Sequence, residues 1–117
     1  MKRTLTATVK NIGSVSHTFF IGATVGAPGA GTGCGLNVGT PYNDLTPQQI
    51  TLNPGDATTL TWGFDDSGLN EGTNWAVVKA WESCNNICTT CYAGNYCTFD
   101  VLAAVAASII NITVNRE

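Results

Sequence analysis

Apolar and polar residues alternate along several short segments of the chain, which is the pattern of β-strands with one buried face. The clearest case is the first segment, where Leu5, Ala7 and Val9 alternate with threonines. Ile12 is a further candidate for an inward position, and Asn-Ile-Gly-Ser at 11–14 is expected to form a turn. The same kind of alternation predicts later strands at 19–25, 49–52, 59–64, 75–81 and 110–114.

The turns between these segments complete the prediction of an all-β fold. Asn-Pro-Gly-Asp at 53–56 places proline and glycine where a type II turn requires them. Six or seven short strands predict an antiparallel two-sheet sandwich, and we expect one domain spanning 1–117. The content of 17 Thr, 13 Gly and 11 Asn agrees with strands joined by turns. We expect four side chains to be buried between the sheets: Leu60, Trp62, Ile112 and Val114.

Two long loops interrupt the strands, one rich in glycine at 26–40 and one rich in cysteine at 84–97. The Gly-rich loop has neither a Gly-Lys-Ser/Thr sequence nor the G-x-G-x-x-G spacing of phosphate-binding loops. We therefore interpret it as a flexible loop or one that a partner orders.

Charge and hydropathy exclude two classes of partner. The chain has five Lys and Arg residues, and only Lys79 lies between Lys10 and Arg116. Nucleic-acid binding needs several clustered cations, so we expect none. The longest apolar run, 101–110, is too short for a membrane span. We also see no signal peptide, and expect an extracellular or virion location reached after removal of a leader or without one.

Five stretches in order resemble the CARDB-type immunoglobulin-like domains, which are cell-adhesion-related sandwiches of prokaryotic surface proteins. They are Val-Lys-Asn-Ile-Gly at 9–13, Phe-Phe-Ile-Gly at 19–22, Ile-Thr-Leu-Asn-Pro-Gly-Asp at 50–56, Thr-Leu-Thr-Trp at 59–62 and Gly-Thr-Asn-Trp-Ala-Val-Val-Lys-Ala-Trp at 72–81. The resemblance covers most of the chain outside the two loops. It implies an immunoglobulin-like sandwich with a non-enzymatic role at a surface.

The cysteines form the strongest candidate for chemistry. Four of them lie within fourteen residues, and a fifth lies far upstream: Cys84, Cys88, Cys91, Cys97 and Cys34. We expect at least one disulfide among the five, because a surface protein meets oxidising conditions. Free thiols, or a metal site formed by the four clustered thiolates, are the alternatives. An odd count leaves one cysteine free or paired between subunits.

The other polar candidates point to structural roles. His17 is the only histidine, and its strand position beside Ser16 and Thr18 gives it no obvious nucleophile and orienting acid. Residues 65–71 are acidic and oxygen-rich, so a calcium turn is one interpretation and an ordinary Asx turn the other. We expect no catalysis and no cofactor.

The segment 75–81 is unusual because both of its faces are apolar. Trp75, Val77, Lys79 and Trp81 share one face, and three small or branched apolar residues share the other. A bulge could switch the faces, or the outer face could be covered by a loop or another subunit. Trp75 and Trp81 are the subunit-contact candidates. Core packing and sugar stacking are the alternatives.

These observations together favour a structural protein. The leading hypothesis is a subunit that self-assembles or coats a surface, as a virion decoration protein or an extracellular filament subunit. Its partners would be copies of itself or a host capsid or filament surface. The alternative hypothesis is a ligand-binding module of a surface protein, for sugar through an exposed tryptophan or for metal through the cysteines.

Overall fold

Seven β-strands make up most of the chain that the computed structural model describes, namely residues 1–29, 38–81, 93–102 and 113–115. They are β1 (Lys2–Lys10), β2 (His17–Ala27), β3 (Gly39–Asp44), β4 (Gln48–Leu52), β5 (Ala57–Asp65), β6 (Gly72–Trp81) and β7 (Ala93–Val101). Within these ranges every strand pairing is antiparallel and no helix occurs. The prediction of an all-β protein with two antiparallel sheets is confirmed.

The smaller sheet consists of β1 and β5, and its two faces differ sharply in polarity. On one face Leu5 lies opposite Trp62, and both side chains belong to the hydrophobic core. On the other face Thr8 lies opposite Thr59, and their hydroxyl oxygens are 3.2 Å apart. The alternation in the sequence therefore sends apolar residues to the core and threonines to solvent.

The larger sheet is organised around β2, which is long enough to pair with two strands along one edge. Its residues 17–21 pair with β4, and its residues 24–27 pair with β3. The opposite edge of β2 pairs with β6, and β6 in turn pairs with β7. The two sheets meet through apolar side chains from both layers, chiefly Leu5, Ile21, Ala23, Val25, Leu45, Leu60, Trp62, Ala76 and Ala80.

Trp62 is the largest side chain contributed to this core by the smaller sheet. Only 4% of its surface is exposed, and its indole Nε1 donates a hydrogen bond to the Thr46 carbonyl oxygen at 2.8 Å. A buried indole N–H requires such an acceptor. The expectation that Leu60 and Trp62 are buried between the sheets is confirmed.

Asn11 fixes the chain where it leaves β1. Its Nδ2 donates to the carbonyl oxygens of Val15 and Leu52, each at 2.9 Å, and its Oδ1 accepts from the Gly13 N–H, also at 2.9 Å. The residue is only 3% exposed. A buried amide with three partners holds the end of β1, the following bend and the end of β4 in one arrangement.

Both predicted tight turns are present. Gly55 has a φ of +84°, and the Asp56 N–H donates to the Asn53 carbonyl oxygen at 3.0 Å, as a type II turn requires. The acidic turn closes in the same way, because the Leu69 N–H donates to the Asp66 carbonyl oxygen at 3.0 Å.

Several boundaries and positions differ from the prediction. The strand β3 was not expected, since Gly39–Asp44 contains Pro41 and lacks alternation. It pairs only with β2 among the described strands, and a proline is tolerated in such an edge strand. Cys97 was placed in the Cys-rich loop, whereas it lies within β7, opposite Ala76.

Two predictions of burial were wrong. Ile12 is 90% exposed, because Asn11 takes the inward position and the chain bends immediately after it. Val114 is 97% exposed, and Thr113–Asn115 lies outside both sheets. Ile112, the remaining predicted core residue, lies outside the described residues.

Candidate functional site

An apolar groove of about 800 Å³ lies between the two sheets, along the side of β1 that faces away from β5. One wall is β1 itself, from Leu5 to Lys10. The opposite wall comes from the larger sheet and includes Ala76, Val78 and Cys97. The groove exists because the smaller sheet has only two strands while the sheet facing it is wider.

The two edges of the smaller sheet differ in their hydrogen-bond partners. At the β5 edge, the Gln48 side-chain Nε2 donates to the Thr61 carbonyl oxygen at 2.8 Å, so a neighbouring segment supplies a partner. At the β1 edge, β5 is the only partner among the described strands, and it lies on the other side. The groove edge of β1 therefore presents backbone donors and acceptors that could pair with another strand.

Arg3 links β1 to β7 two residues before the part of β1 that lines the groove. Its Nη2 donates to the Asp100 carbonyl oxygen on β7 at 2.6 Å, and its guanidinium lies 5.1 Å from the centroid of the Phe99 ring. This contact ties β1 to β7 at that end. At the other end, the groove lining includes Ile12 and Val15, which are 90% and 68% exposed. Exposed apolar side chains beside a groove are typical of a contact surface.

The outer face of the larger sheet carries the tryptophans named by the sequence. Trp75 is half-buried and stacks on Tyr96, with ring centroids 4.6 Å apart and planes inclined by 15°. Trp81 is fully buried within the chain. The pairing of β6 with β2 and β7 is continuous, so no bulge exchanges its faces. Of the two contact candidates, only Trp75 retains surface to offer a partner.

Lys79 shows that this outer face is partly covered. A Cβ atom placed on Gly94 would lie 2.9 Å from the Lys79 Cγ, so the aliphatic stem of the lysine lies across the glycine. Partial burial lowers the pKa of Lys79. The glycine thus provides the space that lets a lysine stem cover the sheet.

The structure describes only one of the five candidate cysteines. Cys97 is the one cysteine among the described residues, and its thiol is free and exposed on the groove wall. The other four candidates, for disulfides or for metal, lie outside the described residues: Cys34, Cys84, Cys88 and Cys91. A disulfide among the five stays a prediction.

The acidic turn at 65–71 has structural partners. Asp66 is 4% exposed, its Oδ1 lies 2.8 Å from the Met1 amino nitrogen, and its Oδ2 accepts from Arg3 Nε at 2.6 Å. The hydrogen bond to the amino group, and then that to Arg3, lower the pKa of Asp66. Asp65 accepts from the Ser67 N–H at 2.9 Å, which is an Asx turn.

His17 packs against an aromatic ring at the start of β2. Its ring lies edge-on to that of Phe19, with centroids 4.9 Å apart, and both residues line the groove. In the part of the chain that the structure describes, no three His, Cys, Asp or Glu side chains are grouped so as to hold a metal ion.

The groove could not be identified from the sequence. Its walls come from β1, β2, β6 and β7, so it depends on which strands pair and which edge stays open. Asn11 was likewise assigned only to a turn, and no local signal marks it as a buried hub. The one available hint was the apolar inner face of residues 76–80, which needs a covering layer.

Comparison of this chain with protein-family models, with curated proteins and with solved structures finds no match. Over the described ranges, nothing forms a helix of the length and apolar character needed to cross a membrane.

Proposed function

We propose that this protein is a non-enzymatic structural subunit that assembles with copies of itself or coats a surface. The setting would be a virion decoration layer, with a host capsid as the coated surface, or an extracellular filament. The observation that carries the proposal is the edge of β1 that no described strand pairs with, which lies beside an apolar groove. A protein that leaves a long strand edge uncovered beside apolar surface has a ready site for another chain.

The strand order supports an immunoglobulin-like version of this sandwich. In such folds the second and fifth strands share one sheet, and the third, sixth and seventh share the other, extended by an extra strand in variable-type domains. Here β1 with β5 corresponds to the first set, and β2, β6, β7 with β3 to the second, whereas β4 departs from the pattern because it pairs with β2 in the larger sheet. The correspondence leaves the position of the first immunoglobulin strand, beside β1, without an occupant among the described strands.

The low charge of the chain supports assembly as well. Only 11% of the residues are charged, and the six residues of β1 from Thr4 to Val9 carry no charge. Subunits that meet through such surfaces have few ions to desolvate, and ion desolvation is a main cost of association.

Two of the described side chains that could serve catalysis, those of His17 and Asp66, make structural contacts. His17 packs on an aromatic ring, and the carboxylate of Asp66 is held by two cations. These contacts support a non-enzymatic role, because a general base or nucleophile needs a partner arranged for proton transfer.

The first test is the oligomeric state of the purified protein over a wide concentration range, by light scattering and electron microscopy. We expect large homo-oligomers or filaments. Trp75→Ala should weaken assembly if this residue is a subunit contact, and Thr98→Ala, directly opposite it on β7, is the matched control. A parent protein that stays monomeric at high concentration contradicts self-assembly.

The second candidate is a carbohydrate-binding module, favoured by the stacked pair of Trp75 and Tyr96. Tyr96 is 57% exposed, so the pair offers an aromatic surface on which a sugar ring could stack. A glycan array tests this function. Binding by a monomeric parent, lost in Trp75→Ala and kept in Thr98→Ala, would favour the module over the structural subunit.

A further inference from the structure

We propose that the groove beside β1 accepts residues 108–114 of a second copy of the chain as an added β-strand. The inference rests on the proposed function and names the surface and segment through which subunits join. The added strand would be the third of the smaller sheet. It would cover the inner face of β6 and β7.

The acceptor is a strand edge without electrostatic protection. Natural edge strands are blunted by lysine, proline, bulges or short length. The part of β1 that lines the groove, from Leu5 to Lys10, has one charge at its very end and neither proline nor a break in its register with β5. Six residues in strand conformation offer an edge about 20 Å long.

The shape of the groove favours a single extended segment. The wall opposite β1 is formed by β2, β6 and β7, with Ala76, Val78 and Cys97 among the residues that line it. One extended segment would be enough to pair with the edge of β1 and to fill the apolar space between β1 and this wall.

The proposed donor segment is apolar and alternating in sequence, and its described end is exposed. Residues 108–114 read Ser-Ile-Ile-Asn-Ile-Thr-Val, without charge and with Ile110, Ile112 and Val114 on one side of an alternating pattern. Seven residues extend for about 23 Å, which matches the groove edge. In the single chain Val114 is 97% exposed. Burial of this apolar side chain in the groove of another copy would therefore be favourable.

The groove itself suggests where the donor enters. Arg3 links β1 to β7 near one end of the groove through its contact with Asp100, whereas Ile12 and Val15 line the other end and are exposed. An incoming strand would bury those two side chains at the open end. We infer that the donor comes from a second copy, because Thr113–Asn115 lies outside both sheets of its own chain.

The test uses the full chain and two substitutions at adjacent positions. Ile112→Asp places a carboxylate on the side of the donor that would enter the groove, and Thr113→Asp places the same group on the opposite side. Assembly is followed by sedimentation velocity, and hydrogen exchange reports the backbone amides of β1. We expect the parent to assemble and its β1 amides to become protected in the assembly.

We expect Ile112→Asp to raise the concentration needed for assembly by about tenfold or more, because a buried unpaired carboxylate is costly. Thr113→Asp should change it by less than about threefold. A synthetic peptide of residues 107–115 should inhibit assembly of the parent and protect the β1 amides. The same peptide with aspartate at position 112 should do neither.

The possible failures are distinct. If the parent assembles and Ile112→Asp assembles equally well, the groove does not take this segment, and the structural function still stands. If the parent is monomeric with protected β1 amides that Ile112→Asp releases, the segment of the same chain is the occupant and the second copy is refuted. If the parent is monomeric and its β1 amides exchange rapidly, the inference and the proposed function both fail.

Discussion

Replacement of Trp62 by alanine is the sharpest test of the core described above. Trp62 comes from the centre of β5, lies opposite Leu5 and is 4% exposed. Its indole donates the hydrogen bond to the Thr46 carbonyl. The substitution therefore removes both a large apolar surface between the sheets and a polar link to the segment before β4.

The expected cost follows from these two contributions. A buried aromatic side chain removes about 150–250 Å² from water, and the alanine methyl keeps only a small part of that burial. At about 25 cal/mol per Å², this area corresponds to about 4–6 kcal/mol, and the burial that the alanine methyl keeps reduces the loss to about 3–5 kcal/mol. The hydrogen bond adds about 1 kcal/mol, since water can replace part of it. Partial collapse of the site reduces the sum, so we expect a loss of about 3–5 kcal/mol.

The assay is denaturant unfolding followed by far-UV circular dichroism, with the m-value compared between variants. Trp62→Phe separates the contributions, because it keeps most of the apolar area and loses the N–H donor, at an expected cost of about 1–2 kcal/mol. Thr61→Ala, an exposed neighbour on the same strand, should change stability by less than about 0.5 kcal/mol. A loss below about 1 kcal/mol in Trp62→Ala would refute the register, since a one-residue slip turns β5 inside out.

Four further predictions concern separate parts of the molecule. Asn11→Ala should lower the unfolding free energy by about 2–3 kcal/mol, because a buried carbonyl loses its donor; an unchanged denaturation midpoint would contradict this. Gly26→Ala should lower the unfolding free energy by about 1–3 kcal/mol, because the new Cβ would lie 2.6 Å from a side-chain carbon on β3. Gly63→Ala is the control, because its Cβ would have nothing within 4 Å, and thermal unfolding of the two variants measures the difference. Because the pKa of Asp66 is lowered in the folded protein, the ionised carboxylate stabilises the fold fully above its ordinary pKa of 3.8, and this contribution is lost as the pH falls through the pKa of the folded state. The denaturation midpoint should therefore fall more steeply with decreasing pH in the parent than in Asp66→Asn. The Cys97 thiol should react with a thiol reagent in the folded monomer and should be protected in the assembly. The unreduced mass should be two hydrogens lower for each bridge among the other cysteines, whereas stoichiometric zinc would argue against disulfides.

The segments that the sequence predicted well are those in which one face is buried and the other is wet. Along β1 and β5, the period of two separates threonines from core residues such as Leu5 and Trp62. The side-chain geometry of a strand imposes that separation, so it can be read without knowledge of the partner strand. The turn at 53–56 was equally readable, because only glycine accepts the φ of +84° found at Gly55 without strain.

Prediction failed where the local sequence competes with long-range pairing. Gly39–Asp44 is a strand because the second half of β2 offers it an edge, although Pro41 argues against strand structure. Cys97 belongs to β7 because it lies opposite Ala76, although the cluster of cysteines suggests a loop. In both cases the partner strand is distant in sequence, so the residues around the segment do not indicate the pairing.

The sequence by itself determined the all-β class, the inward faces of β1, β2 and β5, and the unusual β6 with two apolar faces. The tertiary structure alone decided which side of β6 meets the other sheet and that Trp81 is buried while Trp75 keeps exposed surface. It also decided that β1 leaves one edge unpaired by any described strand, beside an apolar groove. The physical reason is that alternation is a property of one strand, whereas an open edge and a groove are properties of a set of strands brought together from distant parts of the chain.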